Sequence, residues 1–95
     1  MDSVGWTQVG YRVTGRVQGV GYRWWAREIA TELGVCGSAQ NWPDGSVVVH
    51  ATAPPEVLEA FETQLADGPW MAKVDRVERV PSEGRLSTDR FEILL

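Results

Sequence analysis

The chain has 95 residues, 43% of them hydrophobic and 23% charged, with a formal net charge of −4 and one cysteine, Cys36. That length makes one domain with a modest core. The acidic balance argues against general nucleic-acid binding, a lone cysteine excludes an intramolecular disulfide or a thiolate metal cluster within one chain, and no apolar run nears the roughly 18–20 residues that span a bilayer. With no basic-then-apolar start visible, the expectation is a cytoplasmic chain, with a loose leader over residues 1–8 and a single domain over residues 9–95.

Val9, Tyr11 and Val13 alternate with Gly10, Arg12 and Thr14, the period-two pattern of a half-buried strand. The run Gly15-Arg16-Val17-Gln18-Gly19-Val20-Gly21-Tyr22-Arg23 follows as a glycine-rich loop. Tyr22, Trp25, Ala26, Ile29, Ala30 and Leu33 then share one helical face, with Arg27, Glu28 and Glu32 off it, and Gly34 is placed to end the helix. Val35 to Asn41 reads as a weak second strand. Trp42-Pro43-Asp44-Gly45 is a turn, and Val47 to Ala51 is a β-branched third strand, so the two strands make a hairpin. Pro54-Pro55 opens a second helix, with a stripe of Val57, Leu58, Phe61 and Leu65, closed by Asp67-Gly68-Pro69. Val74 to Val80 predicts a fourth strand whose valines at 74, 77 and 80 do not alternate; a bulge or an irregular edge would each explain that. After a polar loop from Pro81 to Asp89, Phe91, Ile93 and Leu95 mark a short last strand. The order βαββαβ, with that added strand, predicts an α+β fold: a ferredoxin-like sandwich, with an antiparallel sheet and two helices on one face.

Glycines between a strand and a helix can turn successive backbone N–H groups toward one point, at the positive end of the helix dipole. That is a site for an anion. Arg23 adds a planar fork of donors suited to phosphate or carboxylate. A cation in the first turn is otherwise disfavoured by a few tenths of a kcal/mol, which a bound anion offsets. Arg16 reads as a peripheral charge that helps capture. Asn41 falls beside the loop if its strand neighbours the first one. Asp44 with Gly45 reads as turn chemistry, His50 as a strand residue away from both motifs, and Cys36 as a small buried apolar residue.

Val13-Thr14-Gly15-Arg16-Val17-Gln18-Gly19-Val20-Gly21-Tyr22-Arg23 closely resembles the first signature of the acylphosphatases. Gly37 through Val47, with Asn41, Asp44 and Gly45, resembles their second. The resemblance runs on through Leu33-Gly34, Gly68-Pro69, Ala72, Val74 and Phe91-Glu92-Ile93, and so covers nearly the whole chain from Val9. Ser38, Ala53 and Tyr22 depart from the usual aromatic, glycine and phenylalanine at their positions. Ser38 and Ala53 bear on packing and a turn, and Tyr22 brings a hydroxyl near the loop.

The resemblance implies hydrolysis of the carboxyl–phosphate bond of small-molecule acyl phosphates, with inorganic phosphate as product and inhibitor. It implies a phosphate cradle from Arg16, Val17, Gln18, Gly19, Val20, Gly21 and Tyr22, completed by Arg23, and a water positioned by Asn41. No metal or cofactor, no nucleic acid and no membrane is expected, and the working unit is expected to be a monomer. The chemistry suits these residues. A carboxylate is a good leaving group, so positioning and charge stabilisation suffice. Asn41 cannot act as a base but can orient water, and a phosphoryl oxygen of the substrate takes the proton. Trp42, next to Asn41, is the candidate contact for the acyl group. Two other readings stay open: a non-catalytic anion-binding module of the same fold, and an RNA-binding module of similar element order. The latter needs exposed aromatics in basic surroundings.

Overall fold

A computed structural model describes residues 5–95 of the chain; residues 1–4, the first part of the expected leader, lie outside the described residues. The elements are β1 (Thr7–Arg16), α1 (Tyr22–Leu33), β2 (Cys36–Asn41), β3 (Val47–Ala53), α2 (Pro55–Asp67), β4 (Lys73–Val80) and β5 (Phe91–Leu94). Ordered structure begins before Val9, since Thr7 pairs with Ala53 and Gln8 with Thr52. The end of the expected leader therefore belongs to β1.

The alternation read in the sequence sorts the sheet's two faces. Tyr11 and Val13 of β1, Ala39 of β2, and Val47, Val49, Ala51 and Ala53 of β3 are buried on the face that receives the helices. There they meet Tyr22, Ala26 and Ala30 of α1 and Leu58, Phe61 and Leu65 of α2. Both helices thus cover one face. Phe61 anchors the centre, packing edge-on to Tyr11 at 6.2 Å and to Phe91 at 6.0 Å between ring centroids. Burying such side chains stabilises by roughly 1.5–3 kcal/mol each relative to exposure. Ala53, the departure at the end of β3, is fully buried, and Ser38 is buried opposite His50.

The sheet order is β4-β1-β3-β2-β5. The four main strands pair antiparallel, as expected, but β5 joins β2 in parallel, which makes the sheet mixed. The sequence left open whether the strand carrying Asn41 neighbours the first strand. It does not; β3 lies between them. Two successive antiparallel pairings leave β1 and β2 parallel, so their C-terminal ends still share one edge of the sheet. Val13 pairs with Val47, and Val47 with Asn41. Asn41 reaches the glycine loop across the first residue of β3.

The irregular valines of β4 have a local cause. Thr14 pairs with Arg76 and Gly15 with Val74, so Asp75 is left out of the ladder as a bulge. β4 is also an edge strand. The bulge brings Val74 and Val77 together against the core while Val80 falls on the open face.

Candidate active site

The loop between β1 and α1 hangs from one buried side chain, Val17, which is 1% exposed. Gly21 is the N-cap of α1, with φ 78°, a left-handed conformation that glycine adopts without steric cost. No side chain caps the helix, and no acidic residue lies in its first turn. The first bond of the helix runs from the Trp25 N–H to the Gly21 carbonyl, at 3.0 Å. The N–H groups from Val17 to Trp24 donate to no acceptor among the described residues. Uncapped amides at a helix N-terminus carry a partial positive charge.

Arg23, in the first turn, extends across the sheet edge to the last strand, where Nη1 donates to the Leu94 carbonyl at 2.8 Å. Asn41 closes β2 on the other side, and its Oδ1 is buried with no partner among the described residues. Val17, Gly19, Gly21, Tyr22, Arg23, Trp24 and Asn41 together line a cleft of about 130 Å3. A larger cavity, about 510 Å3, lies at the opposite end of β2 between Trp6, Cys36 and Phe91. Size does not decide between them, because the donor-rich loop, the guanidinium and the unpartnered amide oxygen meet only at the smaller one. Burial, and Asp89 after it, push the Cys36 thiol pKa up, which fits a packing role.

The loop is held to the β2–β3 turn by Gln18, whose Nε2 donates to the carbonyls of Trp42 at 2.8 Å and Ser46 at 2.9 Å. The turn is braced in its own right. Asp44 Oδ1 accepts from the Ser46 hydroxyl at 2.6 Å and the Ser46 N–H at 2.9 Å, and Oδ2 accepts from Arg12. The Ser46 hydroxyl and N–H, more than the Arg12 guanidinium, hold the Asp44 carboxyl down at about 2. Asp44 is thus tied to the turn, as the sequence suggested.

The other expected residues fall in several places. Arg16 ends β1 opposite Lys73, outside the lining of the cleft. Val20 packs toward the core and also lies outside it. Gln18 contributes its side chain to the turn rather than to the cleft wall. The Tyr22 hydroxyl does not add a donor to the loop; it is buried and donates to the Leu65 carbonyl at 2.7 Å, and burial pushes its pKa up. Trp42 lies in a groove on the open sheet face with Arg12, Asp44, Val48 and His50. His50 sits on that face too, its Nδ1 2.7 Å from Ser82 Oγ.

Two features escaped the sequence reading: the pair of hydrogen bonds from Gln18 and the position of Trp24 in the cleft wall. For Trp24 a signal existed. It follows Arg23 directly and is off the Tyr22–Ala26–Ile29 stripe, so it must leave the helix near its N-terminus on the side away from the core. Among the described residues no three His, Cys, Asp or Glu side chains gather as a metal would need, and no helix is long and apolar enough to cross a membrane.

Residues 9–93 match the acylphosphatase family. The chain belongs to that family. An acylphosphatase of Thermus thermophilus is 54% identical over 66 residues, covering 70% of this chain and 75% of that protein. One from Mycobacterium avium is 43% identical over 81 residues, 84% of each. The crystal structure of the acylphosphatase from Bacillus subtilis superposes with a TM-score of 0.85 at 31% identity, covering 93% of this chain and 98% of that one. Acylphosphatases are enzymes, and this chain is one of them by sequence and by fold. The α+β, ferredoxin-like architecture expected from the element order is the family's own.

Proposed function

We propose that the chain hydrolyses the carboxyl–phosphate bond of acyl phosphates, releasing a carboxylate and inorganic phosphate. One observation carries this reading above family membership: the open amides of the glycine loop, the Arg23 guanidinium and the unpartnered Asn41 Oδ1 border one cleft. The amides and the guanidinium bind the phosphoryl oxygens, and their fixed dipoles match charge that spreads over those oxygens in the transition state. Arg23 spends one donor on Leu94 and keeps the rest of its fork for phosphate. Asn41 Oδ1 accepts a hydrogen bond from the attacking water and aims it in line with the departing carboxylate. Among the described residues no carboxylate or imidazole lines the cleft to act as base, and a phosphoryl oxygen takes the water's proton. Arg23 and the loop amides compensate the phosphoryl charge in this reading, which has the chain act as a monomer without a metal.

The test is hydrolysis of benzoyl phosphate by purified protein, with and without EDTA, beside Arg23→Ala. Turnover that EDTA spares, phosphate inhibits and the variant lacks is the expected result. A folded wild-type protein that binds phosphate without turnover would instead make the chain an anion-binding module.

A further inference from the structure

The loop amides and Arg23 that line the cleft hold the phosphoryl group at the N-terminus of α1. The acyl group, joined to phosphorus through one oxygen, points away from those donors and runs along the cleft wall toward solvent. Among the lining residues Val17 and Tyr22 are buried, and Trp24 is the exposed aromatic, with 58% of its surface open. Its neighbour Arg27 lies over the ring at 4.1 Å from the centroid. A cation on an indole face is attracted by the ring quadrupole and steadies an otherwise mobile side chain. Trp42 is turned into another groove and cannot serve.

We infer that Trp24 is the acyl-side wall of the site and selects acyl phosphates with flat, apolar acyl groups, aromatic ones above all. The inference rests on the hydrolase reading given above. A planar acyl group laid against the indole gains offset-stacking contact and covers apolar surface that is otherwise wet. A two-carbon acyl group has no ring to stack and gains little. None of the described lining residues carries a negative charge to repel the carboxylate as it forms.

The experiment measures kcat and KM for benzoyl phosphate and acetyl phosphate in the wild type, Trp24→Ala and Trp24→Phe. Trp24→Ala should lower the benzoyl-to-acetyl ratio of kcat/KM about five- to tenfold, the size expected of a lost stacking contact. The loss should sit in KM for benzoyl phosphate, and Trp24→Phe should restore most of it. An unchanged ratio, or a loss carried by kcat on both substrates alike, overturns the assignment. If the wild type hydrolyses neither compound, the hydrolase reading fails. Calorimetry with benzoylphosphonate and acetylphosphonate then judges the wall separately: equal affinities, or no change on Trp24→Ala, overturn it as well.

Discussion

Arg23 Nη1 donates a 2.8 Å hydrogen bond to the carbonyl of Leu94, tying the first turn of α1 to the last strand of the sheet. The bond is exposed, and such bonds contribute only about 0.5–1.5 kcal/mol. A cation in the first helical turn costs a few tenths of a kcal/mol in return. The two terms nearly cancel, so this guanidinium owes little to stability. Arg23→Ala should lower kcat/KM for benzoyl phosphate by at least about 10²-fold, in the range of other transition-state donors, while the denaturation midpoint moves by less than about 1 kcal/mol equivalent. Arg23→Lys should recover little activity, because a point charge does not replace a fork. Paired denaturation and kinetic measurements check this, and an active Arg23→Ala protein would sink the proposed mechanism.

Asn41 presents the opposite balance at the other wall. Its Oδ1 is buried without a partner, and an unsatisfied buried acceptor costs about 1–3 kcal/mol. Asn41→Ala removes that acceptor. The variant should be as stable as the wild type or more so, yet kcat should fall about 10²-fold or more if the amide orients water. The inhibition constant of inorganic phosphate should stay within a few-fold, since the loop and Arg23 hold the anion. A variant that loses phosphate affinity and kcat together would assign Asn41 to binding instead.

Gln18 is the strap between the two motifs. Its amide meets both the Trp42 and Ser46 carbonyls, so it fixes the loop relative to the turn that follows Asn41. Gln18→Ala should cost roughly 1–2 kcal/mol of stability for the two lost bonds. It should also cut kcat more than it weakens phosphate inhibition, because the relative placement of anion and water slips. Gln18→Glu should be worse than Gln18→Ala, since a carboxylate faces two carbonyl oxygens. If Gln18→Glu is the more active of the two, the strap is not what positions the loop.

Gly15 makes a prediction about the fold alone. Its φ is 122°, and a Cβ there would stand 2.2 Å from the Lys73 carbonyl oxygen and 2.7 Å from the Asp75 N–H nitrogen. Those are backbone atoms of β4 at its bulge, and they cannot swing away as a side chain could. Gly15→Ala should therefore destabilise by about 2–4 kcal/mol, combining backbone strain with overpacking. Urea unfolding checks it. A loss below about 0.5 kcal/mol, the range of ordinary surface substitutions, would mean that the strand pair separates easily at this point.

Gly15 also marks the limit of what the sequence disclosed. It reads as the first glycine of the anion loop, yet it lies within β1 and makes room for the bulge of a strand nearly sixty residues away. The helices were legible because their stripes are local, and β3 because Val47-Val48-Val49 is β-branched. Sheet order is not local. The place of β3 between β1 and β2, and the parallel docking of β5, depend on which edges meet after both helices have covered one face. The same division holds at the cleft. Arg23 and Asn41 stand out by type and position, whereas Gln18 acts through carbonyls that no side-chain pattern reveals. Trp24 and Trp42 are chemically alike, and only helix phase and strand register set one in the cleft and the other on the open face.

Asp44 links the turn to pH. Its carboxyl is held at about 2 by the Ser46 hydroxyl and N–H and by Arg12, against about 3.9 for an unstructured aspartate. A depressed folded pKa means that the charged form is favoured in the folded state. The stabilisation is therefore complete above pH ~4 and is lost as pH falls through ~2, where both states are protonated. Asp44→Asn should show a lower Tm than the wild type at neutral pH, and the gap should close between about pH 4 and pH 2. Thermal unfolding of both proteins across that window tests it. A gap that persists unchanged to pH 2 would place the contribution of Asp44 in the geometry of its hydrogen bonds rather than in its charge.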